Sequence, residues 1–422
     1  LLDATGATEL LGTTTVTRGF AGIENLTGGA GDDVFTLSNG VRLDGDLDGG
    51  GGSNTLILNS GASIGGTVQN VDVTLTVNAA SGIIPGNAID DILVQIAAGQ
   101  LEVIVNGISN QFFVPTTTGL NVTLDIQSQS GADNLTIDYS TEAGAAVLPG
   151  DIQFNTTTDG NDRVRLIGRT GAAGLDAVYV PALVSGQREI RVLDGVNDGV
   201  DDQIVRLNQI ATRPQVEFDG FNTFDFTSPG AADNVTLSAA VAPLGSKQAL
   251  LIGGLSGGVA FETVLLSGVG EVEIDLSSND VGVNGSIDTV TINSGALQAN
   301  IGLTGLSIST GPGADVFNLN DASYLSNSGA VSPLDNGNLA SGAATGIDLG
   351  SGIDRVNVTM NRSSLVASDV GLTLSDSGAG ALGSVVLTGL AGETGTFSGG
   401  VGDNAFDLSS WTGTSTVTGN GG

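Results

Sequence analysis

The stretch Gly29-Ala30-Gly31-Asp32-Asp33-Val34-Phe35-Thr36-Leu37 contains the pattern that decides the fold of this chain. Two glycines precede an acidic residue, and the apolar residues Phe35 and Leu37 then alternate with their neighbours. Glycine supplies the positive φ of a tight corner, and an Asp or Asn side chain can hydrogen-bond the backbone of that corner. Alternation with a period of two indicates a strand with one buried face. The stretch therefore predicts a turn that leads at once into a strand.

The same turn–strand pattern recurs along the chain, as an Asp or Asn followed two and four residues later by apolar residues. Its copies begin at Asp33, Asn54, Asp90, Asp133, Asp162, Asp233, Asp288, Asp315, Asp354 and Asn404, with an imperfect copy at Asp202. Spacing ranges from 21 residues (Asp33 to Asn54) to 55 residues (Asp233 to Asp288), which does not suit a solenoid of strict period. We therefore predict an all-β fold, an elongated right-handed parallel β-helix (β-solenoid) with irregular coil lengths.

The copies extend over most of the chain, so we expect residues 1–422 to form a single continuous β-solenoid segment. The last residues stop inside a glycine turn, and the first ones read like a strand that such a turn would precede. Two interpretations follow: a part of a longer repeat array, or a subunit that stacks head to tail. A subdivision into 1–85, 86–300 and 301–422 separates the glycine-rich repeats at each end from an irregular middle.

Composition excludes several classes of function. The chain has 45 acidic and 12 basic residues, a formal charge of −33, no Cys and no His. Disulfides, thiol chemistry and imidazole-based catalysis are therefore excluded, and any metal site must consist of oxygen ligands. Nucleic acid is a poor partner for so acidic a chain. A 40% share of hydrophobic residues argues against disorder, and no apolar stretch reaches the length of a membrane-spanning helix.

The stretch Gly28-Gly29-Ala30-Gly31-Asp32-Asp33-Val34-Phe35-Thr36 matches the nonapeptide G-G-x-G-x-D-x-U-x. Related versions occur at 399–406, with Asn404 in place of Asp, and at 311–317, with Pro312 in place of the second Gly. The chain thus resembles hemolysin-type (RTX) calcium-binding repeats and the very large β-strand-repeat surface proteins of bacteria. The resemblance implies a secreted or cell-surface protein with a structural or adhesive role. No two nonapeptides are adjacent here, so calcium does not follow from the resemblance alone.

Calcium is the cofactor that the sequence itself favours, because Ca²⁺ binds six to eight oxygen ligands. The stretch Asp44-Gly45-Asp46-Leu47-Asp48-Gly49 has the D-x-D-x-D-G spacing of calcium loops, and Asp32 and Asp33 are nearby in sequence. Position 12 of that loop is Thr55 rather than Glu. Alternation of Val41, Leu43 and Leu47 supports the other interpretation, in which Asp44 and Asp46 belong to the solvent face of a strand.

Two further groups of oxygen ligands are candidates for calcium. The first is a turn-like run of acidic and amide residues, comprising Asp194, Asn197, Asp198, Asp201 and Asp202. The second consists of stacked turn acids such as Asp315 and Asp354, which either share an ion or only cap their corners. Stacking would place like charges about 5 Å apart, which is unfavourable without a cation or protonation.

Positive charges are concentrated in one part of the chain. Seven of the 12 basic residues fall between residues 163 and 213, and the candidate patch among them is Arg163, Arg165, Arg169, Arg188, Arg191 and Arg206. One interpretation is local pairing with the abundant Asp, which contributes little per pair. The other is a basic surface that docks on an acidic face of a neighbouring subunit.

The function predicted from these features is non-catalytic. We expect a structural repeat segment of an extracellular or cell-surface fibre, stalk or sheath, which assembles into a homo-oligomer or filament by head-to-tail or lateral contacts, with calcium as a possible stabilising ion. The alternative is an adhesin that binds a cell-surface glycan or another cell. A β-helical polysaccharide-cleaving enzyme is disfavoured, because sugar-cleaving sites usually present aromatic platforms and the chain has one Trp and three Tyr.

Overall fold

The computed structural model describes residues 25–78, 82–84, 88–97, 100–112, 120–140, 150–156, 162–171, 174–181, 188–193, 203–208, 215–279, 286–293, 295–296, 301–311, 313 and 315–320, and seven strands between residues 346 and 418. The described part is β-structure, without an α-helix and with one turn of 3₁₀ helix at Ser277–Asn279. The predicted all-β class is confirmed, and so are long sheets of parallel strands.

The strands are short, and most have two to eight residues. In chain order they are β1 (Leu26–Thr27), β2 (Val34–Leu37), β3 (Arg42–Leu43), β4 (Leu47–Asp48), β5 (Thr55–Asn59), β6 (Ser63–Ile64), β7 (Val68–Gln69), β8 (Asp72–Val77), β9 (Asp91–Ala97), β10 (Gln100–Val105), β11 (Ile108–Phe112), β12 (Val122–Gln129), β13 (Asn134–Asp138), β14 (Asp151–Thr156), β15 (Arg163–Ile167), β16 (Asp176–Val180), β17 (Arg188–Leu193), β18 (Gln203–Asn208), β19 (Gln215–Asp219), β20 (Thr223–Thr227), β21 (Asn234–Val241), β22 (Gln248–Ser256), β23 (Val259–Ala260), β24 (Val264–Ser267), β25 (Glu271–Asp275), β26 (Thr289–Ile292), β27 (Gly305–Ser309), β28 (Val316–Leu319), β29 (Gly346–Asp348), β30 (Ile353–Thr359), β31 (Gly371–Ser375), β32 (Ala381–Thr388), β33 (Thr394–Ser398), β34 (Phe406–Ser410) and β35 (Thr414–Thr418).

The chain divides into two compact units. Unit 1 comprises Leu1–Val164 and Arg191–Thr212, and unit 2 comprises Arg165–Ile190 and Arg213–Gly422. Strands β15 and β17 contribute residues to both units.

Unit 1 contains a continuous ladder of parallel strands in the order β2, β5, β8, β12, β14 and β18. Its first part is regular: Leu26 pairs with Leu47 and Leu47 with Val68, each 21 residues further on, and the β2–β5 and β3–β6 pairs have the same offset. The offset then falls to 17 between Thr55 and Asp72 and rises to 49 between Val73 and Val122. Repeat length therefore varies along the unit, with a constant stretch at residues 26–69.

Unit 2 contains two long parallel ladders. One runs β16, β20, β25, β27, β29, β31, β33 and β35. The other runs β21, β26, β28, β30, β32 and β34.

Both units also contain antiparallel strands, so the prediction of parallel pairing throughout is incomplete. In unit 1, β10 pairs antiparallel with β9 and β11, and in unit 2, β22 pairs antiparallel with β21 and β24. The β10–β11 turn is Asn106-Gly107, with positive φ angles of 51° and 79°. Asn-Gly with positive φ at both positions is the preferred two-residue hairpin turn, so this signal was present in the sequence.

Alternate side chains of each strand form rows that fill the interior. In unit 1 one such row joins Leu58, Leu75, Leu124, Ile152 and Val205, each at most 1% exposed. Burial of an aliphatic side chain of this size contributes roughly 1.5–3 kcal/mol. The apolar positions of the repeated motif thus supply the core, as the period of two predicted.

Candidate functional site

The turn acids of the repeated motif have a constant place in the structure. In every copy whose side chain is described, the strand begins at the residue directly after the acid or amide, namely after Asp33, Asn54, Asp90, Asp133, Asp162, Asp233, Asp288 and Asp315. The predicted sequence of turn and then strand is therefore confirmed in these copies. Each acid or amide therefore lies at the corner of its repeat, directly before the first residue of the strand.

Successive turn acids are joined by a repeated pair of hydrogen bonds. The backbone N of Asp90 donates to Oδ1 of Asp133 at 2.9 Å, and the N of Asn134 donates to the carbonyl O of Asp90 at 2.9 Å. The same two bonds link Asp33 to Asn54 and Thr55. The acid side chain thus continues the backbone ladder through a corner where the strands are interrupted.

These links form two stacks of acids, one in each unit. In unit 1 Asp133 N donates to Oδ1 of Asp162 at 2.9 Å, which extends the Asp90–Asp133 link. In unit 2 Asp233 N donates to Asp288 at 2.7 Å, and Asp288 N donates to Asp315 at 2.8 Å. All six acids are buried, with exposed fractions of at most 2%. Within each stack, Oδ1 of Asp133, Asp162, Asp288 and Asp315 thus accepts a hydrogen bond from the backbone N of the preceding acid.

Burial has an electrostatic consequence at Asp133. Desolvation raises the pKa of its carboxyl to about 6, against hydrogen bonds from Asp90 and Ser128 that favour the anion, and the neighbouring carboxyls of Asp162 and Asp90 add to the rise. A carboxyl in this setting holds its proton at a pH where an exposed Asp is ionised.

The acids around the predicted calcium loop are arranged differently. Asp44 is exposed and forms an ion pair with Arg42, with Nε and Oδ1 2.6 Å apart. Asp46 lies in the connection between β3 and β4 and accepts hydrogen bonds from N and Oγ1 of Thr67, at 2.7 and 2.9 Å. Asp48 accepts from Asn70 and also from Gln69 and Gly50.

The other two acids of this group also accept hydrogen bonds from nearby donors. Oδ1 of Asp32 accepts a hydrogen bond from Ser53 N at 2.7 Å, and Oδ2 of Asp33 accepts from Gly29 N at 2.8 Å. Several donors come from the residue 21 positions further on, so the carboxylates join successive repeats. Hydrogen bonding lowers the pKa of Asp46, chiefly through Thr67, and that of Asp48, chiefly through Asn70.

The remaining calcium candidates are only partly described. Asp194, Asn197, Asp198, Asp201 and Asp202 lie outside the described residues. Asp315 is buried in the unit 2 stack. Pairing of Val316 with Arg355 brings the backbone of β30, which contains Asp354, alongside the strand that follows Asp315. Among the described residues no group of three or more acids has a geometry that could hold a metal ion.

The arginines of the predicted patch do not form one exposed surface. Arg188 and Glu262 make an ion pair in the interior of unit 2, with side chains 2% and 0% exposed. Including Arg188 in a docking patch was therefore wrong, because its guanidinium is enclosed by its own unit. Arg188 lies on the same face of β17 as the buried residues Ile190 and Val192.

Two more members of the patch are engaged within their own unit. In unit 2 Nη2 of Arg165 lies 2.5 Å from Oδ2 of Asp219, and Lys247 also contacts that carboxylate at 2.8 Å. In unit 1 Nη1 of Arg206 lies 2.5 Å from Oδ2 of Asp151. Each of these two arginines is therefore paired with an Asp of its own unit.

Exposure differs among the other three arginines. Arg163 and Arg191 are exposed, and Arg169 is half-buried. The expected outer position of Arg163 and Arg165, alternating with buried Val164 and Leu166, agrees with the structure.

Sequence reasoning missed the buried polar groups of unit 2. Glu217 is 1% exposed, although it stands between the core residues Val216 and Phe218 in the sequence of β19. Its two carboxylate oxygens accept hydrogen bonds from N of Leu244 and N of Gly245 in the turn between β21 and β22. No local pattern indicates that this distant turn covers β19.

Comparisons with protein-family models, with curated proteins and with solved structures find no match for the chain. Within the part that the structure describes, no helix has the length and apolar character needed to cross a membrane.

Proposed function

We propose that the chain is a non-catalytic structural repeat segment of a secreted or cell-surface fibre, stalk or sheath, folded as a right-handed parallel β-helix with RTX-like turns. The observation that carries the proposal is the continuity of its ladders. Strand pairs with strand over many successive repeats, and the corners between them are joined by the same pair of hydrogen bonds. Such an arrangement serves mechanical cohesion, since each repeat contacts its neighbours through backbone and core together.

Engagement of the charged groups supports a non-catalytic role. The pairs Arg206–Asp151 and Arg165–Asp219 already satisfy one another inside their units. A polysaccharide-cleaving site would need such groups directed at a substrate.

The test is electron microscopy of the purified full chain, with calcium and with a chelator, at low and high salt. We expect rods that associate end to end, because open ends of stacked strands are unpaired edges. Filaments that form only with calcium would indicate that the ion takes part in assembly. Filaments that also form in chelator would indicate that the strand ladders hold the assembly together without calcium. Dispersed monomers under all conditions would contradict the fibre proposal.

An adhesin is the second candidate, and one surface of unit 1 favours it. Nδ2 of Asn208 donates to Oδ1 of Asn155 at 2.9 Å, and Nδ2 of Asn155 donates to Oδ1 of Asp125 at 2.6 Å. Gln127 donates to the same Asp125 carboxylate at 2.8 Å. This row of amides and acids offers hydrogen-bonding groups that suit sugar hydroxyls. Binding of the monomer to a glycan array, lost in Asn155→Ala, would favour adhesion over the fibre.

A further inference from the structure

The carboxyl of Asp133 has one satisfied oxygen and one that is not. Oδ1 accepts a hydrogen bond from the backbone N of Asp90 at 2.9 Å. Oδ2 is buried and has no hydrogen-bond partner among the described residues. The residue as a whole is 0% exposed. An ionised carboxylate in such a place loses hydration at one oxygen without a replacement donor, which is costly.

The groups that face Asp133 do not supply a compensating positive charge. The carboxyl of Asp90 lies on one side in the stack and that of Asp162 on the other, and both raise the pKa of Asp133. Arg163 donates its backbone N to the carbonyl O of Asp133, but its side chain lies on the exposed face of β15. The hydroxyl of Ser128 is the remaining polar group near the carboxyl. It is uncharged and favours the anion, but desolvation by burial is the larger effect and raises the pKa of Asp133.

Asp90 differs from Asp133 because its carboxylate has donors. Oδ1 of Asp90 accepts from Nδ2 of Asn106 at 2.6 Å and from N of Ile84 at 3.1 Å. Asn106, in the β10–β11 hairpin turn, thus supplies a donor to the carboxylate at the first position of the stack. At the second position, Oδ2 of Asp133 is buried and accepts no such hydrogen bond.

The chain itself contains a neutral version of this position. Asn54 is the corresponding residue of the regular repeats and is 3% exposed. Its Oδ1 accepts from N of Asp33 at 2.9 Å, as Oδ1 of Asp133 does from Asp90, and its Nδ2 donates to the carbonyl oxygens of Gly51 and Asn70 at 3.3 and 3.1 Å. A hydrogen carried on the second atom of the side chain is therefore compatible with a buried corner of this type.

We propose that the Asp133 carboxyl is a proton-binding site, occupied on Oδ2 in mildly acidic solution, and that unit 1 is consequently more stable there than in neutral or alkaline solution. The proton takes the place that Nδ2 has in Asn54 and removes the negative charge of the Asp133 carboxyl from the stack. No cation is required for the stack to persist.

The pKa of Asp133 gives the direction and range of the effect. Its value of about 6 in the folded chain exceeds the ordinary 3.8, so the folded state binds the proton more tightly than the unfolded state. The resulting stabilisation is complete below 3.8 and is lost as pH rises through 6. Lowering the pH from 8 to 5 should increase the folding equilibrium constant of this region roughly tenfold.

The test compares the full chain with Asp133→Asn, which mimics the protonated side chain, and with Asp46→Asn as an exposed control. Hydrogen exchange of peptides from residues 88–140, corrected for the intrinsic rate, is measured at pH 5 and pH 8. We expect roughly tenfold greater protection at pH 5 in the parent and the control. Asp133→Asn should be equally protected at both values and better protected than the parent at pH 8.

A local readout is needed because Asp225 of unit 2 also has a pKa raised to about 6, by burial and by the acids Glu273 and Asp176. Infrared difference spectra provide a second measurement that does not depend on stability. The carboxylic acid C=O band that disappears between pH 5 and 8 should be smaller in Asp133→Asn than in the parent. Parent protection that is independent of pH, or a band unchanged by the substitution, would overturn the proposal.

Calcium distinguishes this inference from the proposed function. Addition of calcium at pH 8 should leave protection of residues 88–140 unchanged. A calcium-dependent gain that Asp133→Asn abolishes would overturn the proton site in favour of an ion. Either result leaves the fibre proposal to be decided by microscopy, since filaments can form with or without a proton at Asp133.

Discussion

The regular repeats at residues 26–69 and the acid stack of Asp90, Asp133 and Asp162 place acidic side chains in opposite electrostatic settings. In the repeats Asp46 and Asp48 are at the surface, and donors from neighbouring residues lower their pKa values. In the stack Asp133 is enclosed, and burial raises its pKa to about 6. Donor supply and solvent access, rather than residue type, therefore decide what an acid contributes here.

This contrast changes the interpretation of the high negative charge. Acids of the repeats act as anions that bind successive repeats together through Thr67, Asn70 and Ser53. In the stack, Asp133 extends the backbone ladder through one oxygen, and burial makes its charge a cost. A single formal charge of −33 thus combines surface carboxylates that hydrogen bonds stabilise with an enclosed carboxyl whose neutral form is favoured.

The largest expected effect comes from breaking the buried ion pair of unit 2. Glu262→Gln removes the buried carboxylate that pairs with the Arg188 guanidinium and should lower the free energy of unfolding by about 3 kcal/mol. The matched control is Asp44→Asn, whose partner Arg42 is 61% exposed, so hydration replaces the lost pair. Urea unfolding followed by circular dichroism measures both. Equal urea midpoints for the two variants would show that burial does not determine how much these ion pairs contribute to the free energy of unfolding.

Alanine substitution of the glycine two residues before the turn acid compares the crowded corner before Asp133 with the open corner before Asp33. At Gly131, which has a φ of 148°, a Cβ would lie 2.1 Å from the carbonyl O of Ala88. Gly131→Ala should therefore destabilise by about 2–3 kcal/mol. At Gly31 nothing lies within 4 Å of that position, so Gly31→Ala should have a much smaller effect. Thermal melting of the two variants checks the prediction, and a larger loss at Gly31 would contradict it.

The smallest expected effect is the response of the regular repeats to acid, which should differ from that of the acid stack. The lowered pKa values of Asp46 and Asp48 mean that their contribution is present above 3.8 and is lost as pH falls through the folded values. Hydrogen exchange of peptides from residues 46–70 should therefore accelerate, after correction, as pH falls below 3.8. Asp46→Asn should reduce the acid sensitivity of these peptides. Protection that increases in this range would reverse the assigned signs.

Local pattern predicted much of the backbone and little of the site. Glycine, an acid and alternating apolar residues marked the position of each turn and strand, because corner conformation and strand alternation are properties of adjacent residues. The place of Arg188 could not be predicted in this way, since its partner Glu262 is 74 residues away. The antiparallel β22 was also missed, because a strand's partner and direction depend on the connection that the chain makes.

The sequence alone determined that the chain is all-β, that its turns carry acids and that, with no His and no Cys, it has no imidazole or thiol chemistry. The tertiary structure alone decided which acids meet donors at the surface and which are enclosed in a stack. The physical reason is that ionisation depends on desolvation and on neighbours brought together from distant positions. Asp48 and Asp133 have the same side chain, and only the fold separates a stabilising anion from a proton-binding acid.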